Sequence, residues 1–141
     1  MSGLVRVITY GTFDLFHVGH LRILQRARGL GDELFVGIST DTFNSIKGKE
    51  STICFKHRME IISALECVTH VFPEEDWDQK ENDIKRFQIN KFVMGDDWKG
   101  KFDMLGSICD VLYLSRTPGI SSSLLKAETP ALKQRITGDG A

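Results

Sequence analysis

Apolar positions fall into short blocks separated by polar, glycine-bearing joints. Residues 4–10 (L-V-R-V-I-T-Y) are rich in β-branched side chains and predict a first strand. Leu21, Leu24, Ala27 and Leu30 recur at helical spacing and predict a helix over about 19–30, with Gly31 as a left-handed cap. Residues 33–40 form a second strand. Its apolar run is nearly continuous, as in a parallel strand covered on both faces. Residues 41–52, with Asn44, Ser45, Lys47, Gly48 and Lys49, predict a mobile polar loop.

Farther on, the spacing predicts a helix over 55–67, a short strand over 68–72 closed by Pro73, and a polar helix over 77–88. A fourth strand over 91–94 runs into Gly95-Asp96-Asp97-Trp98, and a short helix lies near 102–107. The fifth strand covers 110–115, and a last helix opens in Arg116–Ser123 and continues to about Glu128. Strands alternating with helices predict an α/β fold: one doubly wound, Rossmann-like domain on a five-stranded parallel sheet. The domain is expected to span 1–128, and 129–141 to form a loosely ordered tail.

In such a sheet, ligands bind at the carboxyl ends of the strands where the winding reverses. The unusual polar clusters all fall there: 10–20, 41–49, 95–98 and 116–123. The first is Tyr10-Gly11-Thr12-Phe13-Asp14-Leu15-Phe16-His17-Val18-Gly19-His20, at a strand-to-helix junction. A helix start offers unpaired N–H groups and a positive dipole end, which suits phosphate. His17 and His20 lie three apart and can share one side of the first turn, while Gly19 leaves room for close approach. H-x-x-H also suits a metal pair, but no third ligand stands at helical spacing. Lys47, Lys49 and Arg116, with Arg58 early in the second helix, add cations to the rim. Thr12, Thr117, Ser121, Ser122 and Ser123 add hydroxyls, and the start of the last helix supplies a second set of amides.

Blander roles stay open for each. The lysines also fit solvated loop charges, Arg116 a carboxylate partner, Ser121 an N-cap, and Asp96, Asp97 and Trp98 turn or core residues. There is no glycine-framed nucleophile elbow, Walker lysine motif or G-x-G-x-x-G.

The remaining composition narrows the class. With 141 residues the chain fits one domain, and 18 Lys plus Arg against 19 Asp plus Glu give a net charge of −1. That balance points away from nucleic acid and membrane surfaces, and no apolar run approaches the ~20 residues of a membrane span. Cys54, Cys67 and Cys109 form no C-x-x-C pair and are expected to be reduced, partly buried thiols of a cytoplasmic protein.

H-x-G-H after G-T-F-D, with a late R-T-x-G-I-S-[ST]-[ST], resembles the cytidylyltransferases of the H-x-G-H nucleotidyltransferase superfamily. I-S-T-D-x-F-N, V-M-G-D-D-W and G-K-F-D extend the likeness over about residues 4–128, toward members acting on glycerol 3-phosphate. The resemblance implies transfer of CMP from CTP to sn-glycerol 3-phosphate, giving CDP-glycerol and pyrophosphate, with Mg²⁺, in a homodimer. It implies nucleotide contacts from Thr12, Phe13, His17, Gly19, His20, Lys49, Arg116, Thr117, Gly119, Ile120 and Ser121 to Ser123. Lys47 and Lys80 are implied near the acceptor phosphate, and Asp14 and Asp97 at the metal or nucleotide end. Pro118 stands where the family often has an acidic residue, and Ser123 where threonine is common. Another phosphorylated polyol or an aminoalcohol phosphate remains an alternative acceptor.

Overall fold

A computed structural model describes residues 3–115. Five parallel strands form one sheet in the order β3-β2-β1-β4-β5. They are β1 (Arg6–Gly11), β2 (Glu33–Ser39), β3 (His70–Glu74), β4 (Lys91–Gly95) and β5 (Asp110–Leu114). The helices are α1 (Val18–Arg28), α2 (Asp41–Ile46), α3 (Phe55–Ser63) and α4 (Gln79–Arg86), with 3₁₀ turns at Asp96–Trp98 and Asp103–Ser107. Winding runs outward from β1 through β2 to β3, then returns to the other side of β1 for β4 and β5. The reversal therefore lies between β1 and β4, as the alternation of elements predicts.

Two apolar clusters sandwich the sheet. Val7, Leu34, Val36 and Ile38 face one way and meet Leu24 and Ala27 of α1 and Ile62 of α3. Ile8, Tyr10, Phe92 and Met94 face the other way and meet Ile84 of α4 and Leu105. The central strands thus carry apolar side chains on both faces, which is why their sequence runs are nearly continuous.

Four local expectations change. Helix α1 ends at Gly29 in right-handed conformation (φ −65°), so Gly31 is not its left-handed cap. Gly31 instead lies where an added Cβ would stand 2.7 Å from the Val5 carbonyl oxygen, a spacing only glycine tolerates. The polar stretch 41–52 begins with helix α2, capped by the Thr40 hydroxyl, which accepts from the Phe43 N–H (3.1 Å), and Phe43 and Asn44 are buried. The third helix is shorter than its pattern, ending at Ser63. Pro73 does not close the third strand but lies inside it. Strand β3 has one neighbour, so the missing N–H falls on the open edge. The last helix and the tail, with Arg116 through Ser123, lie outside the described residues.

Candidate functional site

The carboxyl ends of β1, β3 and β4 open into one cleft of about 590 Å³, which α1, α4 and the stretch 44–51 also line. Its wall includes Thr12, Phe13, Asp14, His17, Gly19, His20, Lys47, Lys49, Lys80 and Asp97, so most described candidates converge.

The β1–α1 turn is strained. Phe13 (φ 54°) and Leu15 (φ 50°) both occupy the left-handed region without being glycine. Between them the buried Asp14 carboxylate accepts from the N–H groups of Leu15, Thr52 and Ile53 at 2.8–3.1 Å. Asp14 thereby ties the turn to the far end of the lysine-bearing stretch. Both oxygens hold backbone donors, so Asp14 anchors the turn while also lining the cleft. Among the described residues no three His, Cys, Asp or Glu side chains form a metal cage.

The histidines define their own tautomers. His17 caps α1: its Nδ1 accepts from the Gly19 N–H at 3.0 Å, and the His17 N–H donates to His20 Nδ1 at 3.2 Å. A nitrogen that accepts carries no proton, so each neutral ring is protonated at Nε2. The rings stack with centroids 3.9 Å apart, an arrangement that disfavours two cations. Burial lowers the His17 pKa, and burial followed by the charge of His17 lowers that of His20 to about 4, against a slight opposing pull from Asp14. His17 Nε2 is buried and has no hydrogen-bond partner, a state found for no other side-chain N or O among the described residues. A donor held so, at a helix N-terminus in a cleft, is complementary to an anionic oxygen.

This arrangement predicts a pH response. Both folded pKa values lie below the ordinary 6.5, so their contribution to stability is fully present above pH 6.5. It falls away as pH drops from there toward about 4, where folded His20 takes up its proton. Ring-proton NMR of the free protein is expected to show His20 unchanged between pH 6 and 9; a midpoint near 6.5 would contradict the lowered pKa.

Arg58 corrects the sequence expectation. Its side chain is fully buried and does not line the cleft. The guanidinium donates to the carbonyls of Ile53 (2.8 Å), Thr12 (2.9 Å) and Ser39 (2.7 Å) and to Asp41 Oδ1 (2.7 Å). It braces three segments from behind. Asn44, at 1% exposure, works with it: its Oδ1 accepts from Ser39 (2.6 Å) and Thr12 (3.4 Å), and its Nδ2 donates to Ser51 (2.6 Å). The Asp41 carboxyl pKa is lowered, chiefly because the Phe55 N–H donates to it.

At the other end of the cleft, Lys47 is half-buried, with Nζ 4.5 Å from the Phe43 ring centroid; burial is the main cause of its lowered pKa. Lys80 is buried and paired with Glu74 at 2.6 Å, while Lys49 and Asp97 are exposed on the rim. Glu74, Trp77, Trp98 and Phe102 also line this end. Trp98 belongs to the rim cluster 95–98, whereas Glu74, Trp77 and Phe102 carry no sequence signal as ligand contacts, because an aromatic or acidic residue in a turn has no periodic mark of facing a cleft. Of the cysteines, Cys54 is exposed rather than partly buried, and all three thiols are free.

Fold and cleft together define a nucleotide-transfer architecture, and the family model agrees: the chain belongs to the cytidylyltransferase-like family, matched over residues 8–128. It is 52% identical over 127 residues to the glycerol-3-phosphate cytidylyltransferase of Bacillus spizizenii, covering 90% of this chain and 98% of that protein. The protein of the same name from Staphylococcus aureus is 50% identical over 123 residues, covering 87% and 93%. Among solved structures, the lipopolysaccharide core biosynthesis protein of Thermoplasma volcanium superposes with a TM-score of 0.71 at 26% identity, covering 82% of this chain and 99% of that one. No helix among the described residues is long and apolar enough to cross a membrane.

Proposed function

We infer that the chain transfers a cytidylyl group from CTP to sn-glycerol 3-phosphate, giving CDP-glycerol and pyrophosphate. The observation that carries the chemistry is the buried, unpartnered Nε2–H of His17 at the α1 N-terminus. The identity of about half of all positions with two glycerol-3-phosphate cytidylyltransferases supports the choice of substrates.

In this reading an acceptor phosphate oxygen attacks the α-phosphorus of CTP in line. A new P–O bond forms, the bond to the bridging oxygen of the β-phosphate breaks, and pyrophosphate leaves with that electron pair. A phosphomonoester has its second pKa near ~6, so the nucleophile is already ionised at neutral pH and needs no general base. The protein's work is to hold two polyanions together and stabilise charge as it shifts across the α-phosphate. His17 and His20, as neutral Nε2–H donors, meet the α-phosphate oxygens. Lys49 and Arg116, with the hydroxyls of Thr117 and Ser121 to Ser123 and the Gly119-Ile120 backbone, receive the β and γ phosphates. Phe13 and Gly19 border the nucleotide, and Asp97 stands at the same rim. Mg²⁺, with Asp14 and Asp97 the carboxylates the resemblance assigns to its end of the site, would supply charge neutralisation for the triphosphate. A homodimer and a cytoplasmic location complete the reading, resting on the family resemblance and the free cysteines.

The test is pyrophosphate release with CTP, Mg²⁺ and a panel of phosphorylated acceptors, with ATP run in parallel. Fast release is expected with sn-glycerol 3-phosphate and CTP; release only with another acceptor would overturn the substrate while leaving the reaction class. Lys47→Ala is expected to raise the acceptor KM at least tenfold and leave the CTP KM within about twofold. The reverse pattern in initial-rate kinetics would move Lys47 to the nucleotide side.

A further inference from the structure

Helix α1 carries more than the two histidines. His20 and Ile23 line the cleft, and Arg26 continues their three-residue spacing. Rows of residues three apart run at about 45° to a helix axis, so this row leaves the cleft and drifts sideways over the sheet. On that side it meets β5, the outermost strand, whose Leu112 and Leu114 pack against the same core cluster as α1. Ile23 marks the level: a Cβ on Gly95 would stand 3.5 Å from Ile23 Cδ1 and 4.0 Å from the Leu114 carbonyl oxygen. Long helical side chains lean back toward the helix N-terminus. Arg26 accordingly reaches the residue after Leu114. Its Nη1 donates to the Ser115 carbonyl oxygen at 2.6 Å, and Nη2 lies 3.5 Å from the Ser115 hydroxyl.

This contact joins positions 89 residues apart. The register of β5 with β4 ends at Gly95 and Leu114, so Ser115 lies one step past the last paired position. Among the described residues Arg26 forms no ion pair, and its guanidinium goes to a backbone carbonyl instead. A bond with one ionised partner is roughly twice as strong as a neutral one. Arg26 also stands in the last turn of α1, where a cation suits the helix dipole. That role needs no partner on another element, whereas the bond to Ser115 fixes a point of the chain. The next residue is Arg116.

We propose that Arg26 is a positioning residue: by holding the Ser115 carbonyl it fixes where the chain leaves β5, and so aims Arg116 at the β and γ phosphates of the nucleotide. This role rests on the assignment of Arg116 to those phosphates under Proposed function. One helix then sets both ends of the triphosphate, directly through His17 and His20 and indirectly through Arg26. A segment already held at its entry loses less freedom on binding, which favours the bound state.

The test measures the affinity of the full chain, with Mg²⁺ and no acceptor, for CTP by calorimetry and for CMP by competition against CTP. CMP lacks the β and γ phosphates and does not sense the aim of Arg116. Arg116→Ala, the reference, is expected to weaken CTP about tenfold or more and to leave CMP within about twofold. Arg26→Ala is expected to weaken CTP about fivefold or more, again with CMP within about twofold. Added to Arg116→Ala, it is expected to weaken CTP by no more than about twofold further, because the residue it aims is gone. Arg26→Lys, which keeps the charge and one donor for Ser115, is expected to bind CTP within about threefold of wild type. Loss of the fold in Arg26→Ala, equal weakening of both nucleotides, unchanged CTP affinity, or additive losses in the double variant would overturn the proposal. Unchanged CTP affinity in Arg116→Ala would instead overturn the assignment of Arg116, and the role of Arg26 would fall with it.

Discussion

His20→Ala is expected to lower kcat about 10²-fold, the cost of removing one preorganised donor from developing phosphate charge, or on the order of 3 kcal/mol. The loss should fall on kcat rather than on the CTP KM. The charge on the α-phosphate is greatest in the transition state, and ground-state binding of the triphosphate is shared with Lys49, Arg116 and the helix amides. His20 also accepts from the His17 N–H at 3.2 Å, so the variant loosens the start of α1 and the aim of His17. That second effect adds to the first and cannot restore activity. Its size is read from thermal stability, where loss of one capping acceptor should cost about 1 kcal/mol. Steady-state kinetics with CTP and sn-glycerol 3-phosphate decide the matter: turnover within threefold of wild type would exclude a direct role for His20.

Much of this centre was legible in the sequence because its residues sit at signalled places. A β-branched run followed by His17, Gly19 and His20 at the head of an apolar helical pattern marks a strand–turn–helix junction, and α/β alternation then says which rim it faces. The likeness to cytidylyltransferases carried Lys47, Lys49 and Lys80 to the same cleft, and all three line it. What stayed hidden were contacts decided by tertiary packing. Nothing in the sequence announces that Phe13 and Leu15 accept left-handed backbone, because the cause is Asp14 reaching Thr52 and Ile53 across 38 and 39 residues. Asn44 read as loop polarity, yet it is a buried hub whose partners, Thr12, Ser39 and Ser51, come from different segments. Glu74 fell in an acidic turn by composition, and only the return of α4 over the sheet brings Lys80 onto it. Charge type alone does not tell a cation that meets a ligand from one that holds up the wall.

Arg58 makes that difference measurable. Arg58→Met is expected to destabilise the protein by about 3–5 kcal/mol, a large share of the ~5–15 kcal/mol that holds a domain of this size. The guanidinium satisfies three backbone carbonyls besides Asp41, and a buried acceptor left without its donor costs about 1–3 kcal/mol. Methionine restores some packing volume but none of these bonds. Asp41→Asn separates the two kinds of partner. The Asp41 carboxylate is 53% exposed, so its ion pair is screened and its removal should cost only about 1 kcal/mol or less. Arg58→Lys should fall close to methionine, since one ammonium cannot span carbonyls of three segments in the guanidinium's planar fork. Urea unfolding at constant m-value gives the order directly, with Asp41→Asn near wild type and both Arg58 variants far below it. Equal losses for Asp41→Asn and Arg58→Met would mean that the ion pair, and not the backbone brace, holds the wall. Residual folded Arg58→Met should also show a raised KM for both substrates, because Thr12 and the stretch running to Ile53 lose one support together.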